Sequence, residues 1–122
     1  MTDPLLVVDG ANVVGSVPDG WWRDRAAAAE RLRDSLVRVS TEGVAPLPGP
    51  LEVVLVVEGR AKHVGSVPGV HVVAAEASGD DKIVALVAEA APRPCTVVTA
   101  DRELKDRVRA LGAHTLGPKS VR

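Results

Sequence analysis

Four acidic residues fall where apolar runs of this chain end or where helical segments begin: Asp9 in LLVVDGAN, Asp80 and Asp81 in SGDDKIV, and Asp101 in TVVTADREL. Glu58, closing LEVVLVVEG, is a fifth acid in the same kind of position. Open parallel sheets bind ligands in the crevice outside the carboxyl ends of their strands, so acids distant in sequence can converge there. Carboxylates gathered on one edge repel one another unless a proton or a cation offsets the charge. Oxygen donors of this type suit hard divalent cations, Mg²⁺ or Mn²⁺.

Each acid also has a purely structural explanation. Asp-Gly at 9 and 10 is a favoured turn dipeptide. Ser78 with Asp81 three residues on has capping-box spacing, and acids suit the positive end of a helix dipole. Asp101 fits an N-cap. Asp80 is not needed for the capping box, and the pair Asp80 and Asp81 therefore favours chemistry for at least one of them. Adjacent residues on a helix point about 100° apart, so one of the two can face a ligand while the other turns away. Asn12 is placed to hold a neighbouring backbone group or carboxylate.

The elements that must position these residues follow from apolar patterning. LLVV after Pro4 is an unbroken apolar run of strand length, the pattern of a strand buried on both faces, and is assigned as the central strand. GSVPDG at 15–20 is a loop. From Trp21 to about Thr41, Trp22, Ala26, Ala29, Leu32, Leu36 and Val39 recur at helical intervals, which places Trp22 in the core and leaves Trp21 half exposed, free to stack on a base. GVAPLPGP breaks the chain before a second strand, Leu51 to Val57. A basic, glycine-containing loop then leads into VHVVA at 70–74. A helix opens at SGDD with Ile83, Leu86, Val87 and Ala90 on one face, ended by Pro92 and Pro94. Cys95 to Thr99 is a further strand, Asp101 to Leu111 a helix with Leu104, Val108 and Leu111 in register, Gly112 its stop, and HTL a short edge strand. Strands alternating with helices predict right-handed crossovers and an α/β fold, five parallel strands in a three-layer α/β/α sandwich.

Composition bounds the function classes. The 122 residues are one domain's worth, residues 1–122, with 46% hydrophobic content to build a core. The formal net charge is -1, which argues for neither a nucleic-acid coat nor an acidic tail. With the five acids named above set aside as a cluster, basic residues exceed acidic ones by four, a surface that suits a polyanionic substrate. The single Cys95 reads as a buried structural thiol. The lack of Phe and Tyr removes the stacking platforms that single-strand binding modules use. No phosphate loop of the GxxxxGK[ST] type and no GxGxxG motif occurs, and the three histidines lack zinc spacing. The apolar run near the N-terminus is too short for a signal peptide or a membrane span, so a cytoplasmic protein with no membrane partner is expected. Arg60, Lys62 and Lys82 flank the acidic edge and, with His63 in the basic loop, are candidates for holding a nucleic-acid backbone, with Trp21 for a base.

VVDGANVVG, GDDKIVALV and VVTADRELKDRVRALGA, taken in order, resemble the NYN branch of the PIN-like nucleases, most of all its YacP-like members. The resemblance spans nearly the whole chain and implies a sheet of order 3-2-1-4-5. It implies a metal-dependent ribonuclease in which Asp9 is the central ligand for Mg²⁺ or Mn²⁺ with Asn12 as its helper, Asp81 or Asp80 supplies the middle acid, and Asp101 the acid after strand four. Where YacP-like proteins tend to carry Asp after strand two, this chain has Glu58, whose extra methylene shifts the carboxylate oxygen. The reaction implied is endonucleolytic hydrolysis of RNA phosphodiesters to 5′-phosphate and 3′-hydroxyl ends. Because so small a chain has little room for a substrate-selecting surface, docking on a larger RNA, ribosomal or ribonucleoprotein partner is expected. Two other readings are open: a non-catalytic RNA-binding adaptor and a small nucleotide phosphohydrolase. The oligomeric state is also open, a homodimer included.

Overall fold

A computed structural model describes residues 3–122. The main sheet comprises β1 (Leu5–Asp9), β2 (Glu52–Val57), β3 (Val70–Ala74), β4 (Cys95–Val98) and β5 (His114–Leu116). Its order is β3-β2-β1-β4-β5, as the resemblance implies, and every neighbouring pair is parallel, as the alternation of strands and helices predicts. β1 lies between β2 and β4, with Leu5 opposite Glu52 on one side and Cys95 on the other.

Strand side chains alternate between faces, and the core divides accordingly. Leu6, Val8, Val53, Leu55 and Val57 pack with α1 (Gly10–Gly15) and α2 (Arg25–Glu42). Leu5, Val7, Val54, Val56 and Val97 pack with α3 (Gly79–Ala90) and α4 (Arg102–Ala110). This is the predicted three-layer sandwich. It also explains why β1 and β2 read as continuous apolar runs, since both of their faces are covered. Leu104 and Val108, one helical turn apart and fully buried, anchor α4, whose nine residues would be marginal as an isolated helix.

Three expectations are corrected. The segment after Asp9 is a short helix, α1, where the sequence suggested a turn; Asp9 ends β1 and caps α1, so no loop intervenes. The long helix starts at Arg25, capped by Asp24, whose side chain accepts from Ala27 N at 2.9 Å, and Trp21–Arg23 form a separate 3-10 turn. Trp22 is consequently off the helical stripe and 52% exposed, while Trp21 packs against the core. Leu111 lies at the C-cap of α4 and is exposed, because the chain turns there into Gly112 with φ of 90°. Residues 43–50 close as a two-rung antiparallel ladder, Gly43–Val44 with Leu47–Pro48. Among the described residues no helix is long and apolar enough to cross a membrane.

Candidate active site at the carboxyl edge of the sheet

Asp9 is 6% exposed at the end of the central strand. Its Oδ2 accepts from Thr99 Oγ1 at 2.9 Å, and its Oδ1 accepts more weakly from Asn12 N at 3.5 Å. Burial pushes the carboxyl up from its ordinary 3.8 to about 6, against the pull of these two hydrogen bonds and with added repulsion from Asp80 and Glu58. Asn12 is held in turn: its Oδ1 accepts from Ala100 N at 2.8 Å, which ties α1 to the turn after β4.

That turn carries Asp101. Thr99 Oγ1 accepts from Asp101 N at 3.1 Å while donating to Asp9, so one buried hydroxyl fixes two acids at once. Asp101 caps α4, its Oδ1 accepting from Leu104 N at 3.0 Å. The cap uses one oxygen of Asp101 and leaves the other without a hydrogen bond among the described residues.

Ser78 caps α3 by accepting from Asp80 N and Asp81 N, so neither acid is consumed as the cap. The two then diverge. Asp81 is exposed and accepts from Arg107 of α4 at 3.0 Å. Asp80 is partly buried, and its carboxyl is raised above the ordinary range by burial and then by the charges of Asp101 and Glu58, with Arg107 pulling the other way. Asp80 is therefore the member of the pair that faces the other acids. Glu58 stands at the end of β2 with Oε2 accepting from Gly79 N at 2.7 Å, a bond that joins this strand end to the first residue of α3. Gly79 suits this approach, because a Cβ there would collide with Glu58 Oε2.

Asp9, Asp80, Asp101 and Glu58 thus come to one edge; among the described residues Asp80, Asp101 and Glu58 keep carboxylate oxygen free of hydrogen bonds, whereas both oxygens of Asp9 already accept one. In donor chemistry the set fits a hard divalent cation. Among the described residues, however, no three acids, histidines or cysteines close into a single metal-holding group. Arg60 lies in the 3-10 turn Gly59–Ala61 directly after Glu58, with Lys62 and His63 exposed beyond it and Lys82 on α3. Arg60, Lys62 and Lys82 make no ion pair among the described residues. Trp21 lies beside α1, its ring 3.8 Å from the position a Cβ on Gly15 would take. Sequence reasoning missed Thr99; the available signal was a hydroxyl ending the apolar run CTVVT at the level of the acids.

This architecture has a solved counterpart. Rae1 (YacP) from Bacillus subtilis superposes with a TM-score of 0.77 at 17% identity over 95% of this chain and 70% of that one. A tryptophan-to-leucine mutant of the same protein gives 0.76 and 18%, over 97% and 72%. The fold is that of YacP. The likeness lies in backbone architecture, because no family model and no curated protein matches the sequence. The YacP-like arrangement places β1 at the centre and brings the ends of β2 and β4 to its two sides, which is what assembles the acidic edge.

Proposed function

We propose that this chain is a metal-dependent endoribonuclease, hydrolysing RNA phosphodiester bonds at the carboxyl edge of its sheet. The observation that carries the reading is Asp9: a carboxylate only 6% exposed, at the end of the central strand, oriented by two partners and repelled by Asp80 and Glu58. A buried acid raised toward neutrality among other acids is costly to retain for packing alone. The YacP fold supports the same reading.

Asp9, Asp80 and Asp101 would hold Mg²⁺ or Mn²⁺. Bound there, the cation would favour deprotonation of water and offset charge on the phosphoryl oxygens. The protein's own part is positional. Thr99 and Asn12 fix Asp9, and Thr99 fixes the Asp101 backbone. Glu58, with one oxygen engaged by Gly79, is assigned to the junction of β2 and α3, and Asp81 to its ion pair with Arg107. Arg60, Lys62, His63 and Lys82 would contact flanking phosphates. Water oxygen bonds to phosphorus, the bond to the 3′-oxygen breaks, and that oxygen takes a proton, leaving 5′-phosphate and 3′-hydroxyl ends.

A second reading, an RNA-binding domain without catalysis, is favoured by one observation: the acids do not close into a three-member group among the described residues. Manganese-dependent cleavage of labelled RNA by wild type, Asp9→Asn and Asp101→Asn, with metal binding by calorimetry on the same samples, separates the readings. The nuclease reading expects cleavage in wild type and loss in both variants. Retained or improved RNA binding without cleavage in wild type supports the adaptor, and turnover of free nucleotides in place of RNA indicates a phosphohydrolase.

A further inference from the structure

Beside the acidic edge, on the α1 and α2 side of the sheet, lies a cleft of about 180 Å³ bounded by Gly10, Val14, Trp21, Arg25, Glu58 and Gly59. Its volume falls below the roughly 300–1,000 Å³ of pockets that enclose drug-sized ligands and suits a single planar ring system. One wall is already assembled: the Arg25 guanidinium carbon sits 5.5 Å from the centroid of the Trp21 ring, a cation–π pair that forms a flat, delocalised surface. Trp22 braces the indole edge-on at 5.9 Å between centroids. Gly10 follows Asp9 directly and Glu58 lines the cleft, so the cavity and the acids share one boundary.

We propose that this cleft receives one unpaired base of the RNA, next to the phosphate presented at the acidic edge. The inference rests on the RNA-handling role proposed for that edge and extends it to base choice. Indole and guanidinium supply the stacking surface on which single-stranded bases are held. Glu58 supplies polarity. Its Oε2 is engaged by Gly79, and Oε1 remains as an acceptor. A carboxylate pairs best with a base edge carrying adjacent N–H donors, which guanine offers at N1 and N2. It opposes uracil, whose single N3–H lies between two carbonyl oxygens. The cleft is therefore selective for guanine over uracil. The exposed basic residues Arg60 and Lys62, just past Glu58, are placed for the attached phosphates.

The two tryptophans make this measurable without catalysis. In EDTA, the indole N–H resonances of the ¹⁵N-labelled protein are followed during titration with GMP, AMP, CMP, UMP and ribose 5-phosphate, with Trp22→Phe to assign Trp21. The expected result is that Trp21 shifts at a GMP concentration about tenfold below that needed for UMP, the scale of one hydrogen bond to a charged group. Ribose 5-phosphate leaves Trp21 in place. Glu58→Gln, which can still accept from Gly79, removes the guanine preference, and Arg25→Ala, at an exposed position, weakens all four bases together. No shift of Trp21 with any nucleotide, an equal shift with ribose 5-phosphate, or tighter binding of UMP than GMP overturns the inference. Because metal is absent, failure of RNA cleavage in the earlier assay leaves this result intact, and a silent Trp21 leaves the nuclease reading intact.

Discussion

Thr99 is fully buried and serves two acids with one hydroxyl, donating to Asp9 and accepting from the Asp101 backbone. Thr99→Val keeps the shape and removes both bonds, leaving the partly buried Asp101 N–H and the buried Asp9 carboxylate each short of a partner. A loss of about 1–3 kcal/mol is expected in urea denaturation, largely restored by Thr99→Ser. Asp9 itself works against stability at neutral pH. Its carboxyl titrates at about 6 in the fold against 3.8 ordinarily, so the native state binds this proton more tightly than the unfolded chain. The stability this provides is full below about pH 4 and is lost as pH rises through about 6, which amounts to about 3 kcal/mol at most. Asp9→Asn, with metal chelated, is expected to be more stable than wild type by about 1–3 kcal/mol near pH 7.5 and to lose that advantage near pH 4. Equal stability at both pH values would refute the buried-charge account. At this scale the sequence displayed which residue types were acidic and where strands ended, so Asp9, Asp80 and Asp101 were legible. Which of Asp80 and Asp81 turns inward was not, because the choice is made by Arg107, 26 residues further along.

Between elements, the decisive joints are close approaches. A Cβ on Gly10 would lie 2.5 Å from the carbonyl oxygen of Val56, a backbone atom of β2 that cannot move without distorting the sheet. Gly10→Ala is therefore expected to cost about 2–3 kcal/mol, read from thermal denaturation, and to displace α1 from the acidic edge. Gly15→Ala, where the nearest atom is 3.8 Å away, serves as the neutral comparison. The strands and the two long helices were legible because apolar period alone defines them. α1 was not: six residues with one capping acid carry too little periodicity to distinguish a helix from a turn, and its seat against Leu55 and Val56 of β2 is a contact distant in sequence. Trp22 was misplaced for a related reason. Its spacing fitted the stripe of α2, but Asp24 caps that helix one residue before Arg25, and the stripe begins only after the cap.

Across the whole molecule, Cys95 reports on cohesion. It opens β4, next to the central strand, is 6% exposed, and burial pushes its thiol up to about 11. Thiolate is the reactive form. Modification by a thiol reagent near pH 8 is thus expected to be slow in the native protein and to accelerate through the same urea range in which the circular dichroism signal is lost. Rapid labelling without denaturant would mean that β4 opens separately from the sheet.

The central position of β1 has a consequence for how the chain acquires its structure. Its two neighbours in the sheet, β2 and β4, begin at Glu52 and Cys95, so the strand that organises everything is finished long before either partner exists. At roughly 5–20 residues per second of synthesis, LLVV waits several seconds for the second of them. Parallel pairing across such separations is intrinsically slow. During that interval the nascent chain carries an uncovered, strongly apolar strand, and the requirement for protection against self-association is set by the connectivity of the sheet and not by the stability of the finished fold.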